Sequence, residues 1–189
     1  LVPDLPQNSG IPSFIPLSDR MAFRSKASGT WQIYSIEIDG TDLYQHTDGP
    51  GDNLEPVWSP TGEFVAFVST RDGNKEIYRM DTSGANVLRL TDNPGHDDDP
   101  NWSPDGQWLI FESIRATRLD IYKMRPDGSD LIRLTSSGGN STPAWSPDGR
   151  LIAYEHKEAG ELHIWLMNPY GGSLRQVTFD GSEDGRPAW

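Results

Sequence analysis

The sequence predicts an all-β protein, a β-propeller of four-stranded antiparallel blades, and three observations carry that prediction. A tryptophan returns every 43 or 44 residues, at Trp58, Trp102, Trp145 and Trp189, and Phe14 lies 44 residues ahead of the first. Runs of four to seven residues, rich in β-branched and aromatic side chains, alternate between clusters of Gly, Pro, Asp and Asn. No segment sustains a 3.6-residue apolar period, so almost no helix is expected. A repeat in the low forties built from short strands is the mark of a propeller blade.

The elements follow in order within each repeat. The first strand carries Pro-x-Trp-Ser, as in Pro56-Val-Trp-Ser59 and Pro100-Asn-Trp-Ser103. Ser-Pro-Asp-Gly at 103–106 and 146–149 then predicts a type I turn, with Pro at its fixed φ and Gly at the exit. The second strand alternates around Phe23, Phe67, Phe111 or Tyr154, and the third around Tyr34, Tyr78, Tyr122 or Trp165. Gly40, Gly84, Gly128 and Gly171 mark the next hairpin, and a fourth strand such as Val87–Thr91 ends at Thr47, Thr91, Thr135 or Thr178. The Trp and Phe anchors are expected to be buried between blades, as core and not as stacking platforms.

Four repeats are expected over 11–53, 54–97, 98–140 and 141–184, with 185–189 as the first strand of a fifth. Residues 1–10, with Pro3, Pro6, Asn8 and Gly10, read as a linker. The chain begins at Leu1 and not Met, which reads as processing or as a piece of something longer. No run approaches 18 apolar residues, so no membrane insertion is expected. The absence of cysteine removes disulfides, thiolate catalysis and thiolate metal sites.

A formal charge of −12 argues against nucleic acid and anionic membrane as partners. Its location matters more than its sum. The blade-to-blade connectors 48–55, 92–99, 136–142 and 179–186 hold ten acids and one base, Arg186, in 31 residues. In a propeller such connectors gather at one end of the central channel. The candidate binding residues are therefore Asp52, Glu55, Asp97, Asp98, Asp99, Glu183 and Asp184, facing a basic peptide segment or a hard cation. Acidic loops that merely keep an aromatic-rich protein soluble are the competing explanation.

Within that set, His96-Asp-Asp-Asp99 is the one local cluster to weigh for metal. Ca²⁺ takes six to eight oxygens from carboxylates and loop carbonyls, so Asp97, Asp98 and Asp99 are its candidate ligands, although the spaced EF-type pattern is absent. No cofactor is required by anything else in the sequence. There is no Gly-x-Ser-x-Gly elbow, no His-Glu-x-x-His and no phosphate loop, and His46, His96, His156 and His163 fall at unrelated points of the repeat. No catalytic residue is assigned, and no hydrolytic turnover is expected.

Proline two before Trp, then Ser-Pro-Asp-Gly, an aromatic seven residues after that Pro, Ile-Tyr and Leu-Thr: this pattern resembles the repeat of TolB-like β-propellers. The resemblance covers roughly residues 11–189. It departs at Pro16-Leu-Ser-Asp19, which lacks the turn glycine, and at Ile114–Leu119, which lacks Gly in its loop. It implies a propeller fold, a protein partner and a periplasmic or extracellular location. Similar repeats occur in prolyl-oligopeptidase-like hydrolases and polysaccharide lyases, so the propeller part of a larger enzyme is one alternative function. A cation-dependent glycan- or small-ligand-binding propeller is another. Propellers of this type usually have six blades, so four repeats imply further blades, or self-association, to complete the ring.

Overall fold

In a computed structural model, residues 13–179 and 184–189 are described, and every regular element among them is a β-strand. Two compact units divide at Asp92. In the first, one sheet runs β1 (Ser13–Phe14), β2 (Arg20–Ser25), β3 (Gln32–Glu37) and β4 (Tyr44–Gln45). The next runs β5 (Asn53–Trp58), β6 (Phe64–Ser69), β7 (Glu76–Asp81) and β8 (Leu88–Arg89). The second unit holds β9 (Asp97–Trp102), β10 (Leu109–Arg115), β11 (Arg118–Met124) and β12 (Ile132–Arg133). Its other sheet is β13 (Asn140–Trp145), β14 (Ile152–Glu158), β15 (Glu161–Met167) and β16 (Arg175–Gln176). All four sheets are antiparallel meanders in chain order, one per repeat.

Turn chemistry explains the meander. In Ser103-Pro-Asp-Gly106 the serine hydroxyl accepts from Trp108 N at 2.9 Å and donates to Asp105 at 2.6 Å, and Gly106 N closes onto Ser103 O at 2.8 Å with φ +68°. Ser146, Asp148 and Gly149 repeat the arrangement. The loop without glycine solves its problem differently. Ala116 and Thr117 adopt φ +48° and +69°, the twist a two-residue hairpin needs, at a steric cost that glycine would avoid.

The core of each unit lies between successive sheets. In the first unit Trp58 packs with Ala22 and Ile33 of the preceding sheet and with Val65, Phe67, Tyr78 and Met80 of its own. In the second, Trp145 packs with Ile110, Ile121 and Leu134 and with Ile152, Tyr154 and Met167. Cross-strand aromatic pairs stack within sheets, Phe23 on Tyr34, Phe67 on Tyr78 and Phe111 on Tyr122, with ring centroids 5.7–6.1 Å apart.

Four expectations need correction. Phe14 is 74% exposed and Trp189 55% exposed, so neither is a buried anchor. An anchor is covered by the sheet before it, as Trp58 and Trp145 are, and no described sheet precedes Phe14. The fourth strands are two residues long and not five, each pairing with the third strand at two positions. The first strands begin three residues before their proline, at Asn53, Asp97 and Asn140, so Asp97, Asp98 and Asp99 lie within β9 and not in a connector. Residues 184–189 form no ladder, since a first strand pairs with the second strand of its own blade.

Candidate functional site

Three of the four first strands, β5, β9 and β13, are broken by a bulge at the residue before the proline. Glu55, Asp99 and Thr142 take φ of +47°, +49° and +46°, and the ladder slips around them. On the near side of the bulge the ladder resumes, so Asp97 and Asp98 pair with Ser113 and Glu112 of β10 at the strand start. In the first unit Glu55 is bound by Arg24 Nη1 at 2.6 Å, and Asp52 accepts from Trp31 N at 3.0 Å. Asp48 and Asp92 are exposed, and Arg89 pairs with Asp92 at 2.8 Å.

In the second unit the three aspartates of β9 part company. Asp97 is 0% exposed; its Oδ1 accepts from Asn93 at 2.7 Å and Ser113 at 2.5 Å, and Arg115 approaches Oδ2 at 3.5 Å. Asp98 and Asp99 are half-buried, and Asp98 accepts from Asp99 N at 3.2 Å. Asp184 is half-buried, its amide donating to Leu162 O at 3.3 Å. Glu183 lies outside the described residues. Among those described, no three His, Asp or Glu side chains gather as they would around one metal ion. Asp97 in particular faces hydrogen-bond donors that serve the sheet.

Asp97 stands at the repeat position of Asn53 and Asn140, which belong to a polar network that sequence reading did not single out. Gln32, Glu76 and Asp120, 44 residues apart, are buried at matching positions of the third strands. Each accepts the hydroxyl of its repeat's closing threonine: Thr47 to Gln32 at 2.8 Å, Thr91 to Glu76 at 2.6 Å, Thr135 to Asp120 at 2.8 Å. That threonine oxygen in turn takes the next backbone amide, Ile33, Ile77 or Ile121, at 2.9 Å. Asn53 reaches Gln32 and Asn140 reaches Asp120, at 2.8 and 2.7 Å, locking the first blade to the second and the third to the fourth. Charge is matched inside the repeat: Arg89 meets Glu76 and Arg133 meets Asp120, whereas Gln45 stands in the repeat of the neutral Gln32. The detectable signal was the phase of these polar positions with the tryptophans.

Ser35 contacts His46, Oγ to Nε2 at 2.8 Å. Arg20 donates twice to the same hydroxyl, at 3.2 and 3.1 Å, so the serine's proton goes to His46 and Nδ1 carries the imidazole's own. The serine is buried, and burial, reinforced by the Arg20 charge, pushes the His46 pKa down to about 4. The group is a structural cluster edged by Tyr44 and Trp58, with His46 Nδ1 buried and without a hydrogen-bond partner, and His46 follows the fourth strand without joining it.

Fold and polar network together define a repeat β-propeller of four blades. The TolB beta propeller domain family matches residues 1–91 and 74–189, and this chain belongs to that family. A crystal structure of TolB from Acinetobacter baumannii is 28% identical with a TM-score of 0.82, covering 94% of this chain and 45% of its own. A TolB candidate of Agrobacterium tumefaciens is 30% identical with a TM-score of 0.75, over 84% of this chain and 60% of its own. An oligogalacturonate lyase in complex with manganese, 16% identical with a TM-score of 0.70, covers 85% of this chain and 49% of its own and shares the fold alone. This chain thus spans about half the length of the TolB structures it resembles. No curated protein matches it.

Proposed function

We propose that this chain is a non-catalytic interaction propeller that binds a basic segment of another protein through the acidic starts of its first strands. The carrying observation is charge focusing, with ten acids against one base in the 31 residues 48–55, 92–99, 136–142 and 179–186, which include the starts of β5 and β9. Focused charge raises the local concentration of basic partners and speeds their encounter, steeply with falling ionic strength. The binding residues are Asp52 and Glu55 in one unit and Asp98, Asp99, Glu183 and Asp184 in the other; Asp97 contributes field but is held inside the sheet. The reading needs no cofactor, and a periplasmic or extracellular location accompanies it.

The test is calorimetric titration of a lysine-rich peptide into the protein at low and high salt. Asp98→Asn and Asp99→Asn are the informative variants, since neither breaks the hydrogen bonds of Asp97 and Asn tolerates the positive φ of residue 99. Binding should weaken with salt and again with the two substitutions. Equal affinity for wild type and the double variant at low salt makes the acids solubilising groups only.

A further inference from the structure

The second unit contains a cleft of about 370 Å³ at the end where its Ser-Pro-Asp-Gly turns lie. Asp105, Trp108, Lys123, Trp145, Asp148 and Tyr170 line it. The six residues of β9 separate this end from Asp97, roughly 17–20 Å along the strand. The cleft is therefore independent of the acidic strand starts, and nothing above assigns it a role.

Its most unusual member is Lys123. The residue is 4% exposed, and its Nζ donates to Pro169 O at 2.7 Å. An ammonium has three N–H groups. The other two find no hydrogen-bond acceptor among the described residues, and the amine instead lies 4.4 Å from the Trp108 ring centre and 5.1 Å from that of Tyr170. Among the described residues no carboxylate lies within ion-pair distance of it. Burial lowers its pKa, and Arg125, itself 4.0 Å from the Trp108 ring, lowers it further.

The two aspartates on the wall each turn one oxygen, Oδ1, to their own turn. Asp105 holds Ser103 Oγ and Gln107 N, and Asp148 holds Ser146 Oγ and Arg150 N. A buried cation without a counter-charge is costly, so the cleft is electrostatically incomplete as it stands. The same position holds Ser35 and Leu166 in two blades and Arg79, 4.2 Å from the Phe64 ring centre, in a third, so a cation over an aromatic recurs there but a lysine does not. Tyr170 is 86% exposed and presents a ring to solvent at the cleft's edge.

We propose that this cleft binds a small carboxylate carried on a flat apolar ring. The carboxylate takes the two open N–H groups of Lys123, and the ring lies against Tyr170. Charge-assisted hydrogen bonds give the anion its hold, and the aromatic contact gives the ring its orientation. A free aromatic acid and the C-terminus of a peptide ending in an aromatic residue present the same chemistry.

The experiment is titration of the protein with 3-phenylpropionate and with its amide, read by amide shifts at 103–108 and 168–171. A tripeptide ending in phenylalanine, with free and amidated C-termini, forms the second arm. The acid should bind in the millimolar range or tighter and the amide at least about tenfold more weakly, as expected when a charged hydrogen bond is lost. Lys123→Met should weaken the acid by a similar factor, and Tyr170→Ala, at an exposed position that leaves folding intact, should weaken acid and peptide together. A free tripeptide that outbinds phenylpropionate makes the ligand a peptide end; the reverse order makes it a small acid, and either supports the cleft. Equal binding of acid and amide, no shift at millimolar acid, or unchanged affinity in both variants overturns the proposal.

Discussion

Replacing Trp145 by Ala should remove the largest packing element of the second unit. The side chain is 8% exposed and touches Ile110, Ile121 and Leu134 from one sheet and Ile152, Tyr154 and Met167 from the next. Burying about 200 Å² of indole at about 25 cal/mol/Å² corresponds to roughly 5 kcal/mol. The indole N–H is buried without a hydrogen-bond partner, so its loss returns part of that figure. The net expectation is a loss of about 3–5 kcal/mol, within the usual range for a core Trp→Ala change. Urea unfolding followed by far-UV circular dichroism measures it without relying on the deleted fluorophore. Phe14→Ala, at an exposed site of the same repeat position, is the internal control and should cost under about 1 kcal/mol. If the two substitutions cost the same, the anchor is not core and the packing argument fails.

Three further expectations concern stability. Glu76→Gln should cost about 1 kcal/mol, since Arg89 loses its buried carboxylate but keeps Asp92 and Asp72, and adding Arg89→Gln should restore much of it, because the first blade already runs the neutral Gln32 and Gln45 version; a double variant no better than the single would dismiss the charge-matching argument. His46 binds a proton in the unfolded chain below pH 6.5 but in the fold only near pH 4. Stability is therefore lost as pH falls from 6.5 towards 4, by about 2 kcal/mol after allowance for its partial exposure; an imidazole titrating near 6.5 by NMR contradicts this. Asp105 and Asp148 have lowered pKa values, so their contribution is lost only at lower pH. Converting Ala116-Thr117 to Asn-Gly should raise stability by about 1 kcal/mol, since both residues hold positive φ, and a destabilised variant would show that Thr117 packs productively.

The blades were legible because aromatic anchors and turn residues obey strict spacing, and because each must occupy one place in a sheet. Gly106 and Gly128 could be assigned to turns for the same reason: their φ of +68° and +85° is a backbone demand written into residue type. The polar network was not legible by type, since Gln32, Glu76 and Asp120 perform one task with three different side chains. Asp97 was misplaced for a related reason. In sequence it sits in an acidic run after Pro94-Gly95, which reads as solvated loop, but the bulge at Asp99 lets β9 start earlier and buries it. Lys123 gave no signal at all, because burial of an amine between Trp108 and Tyr170 depends on a neighbouring blade.

The most direct test of the proposed function is where a basic peptide lands. Amide chemical shifts recorded during titration with a lysine-rich peptide at low salt should move at 52–55, 97–99 and 184–186, and should revert as salt is added. Shifts confined to the outer strands, or a pattern indifferent to salt, would contradict an acidic binding surface on this propeller.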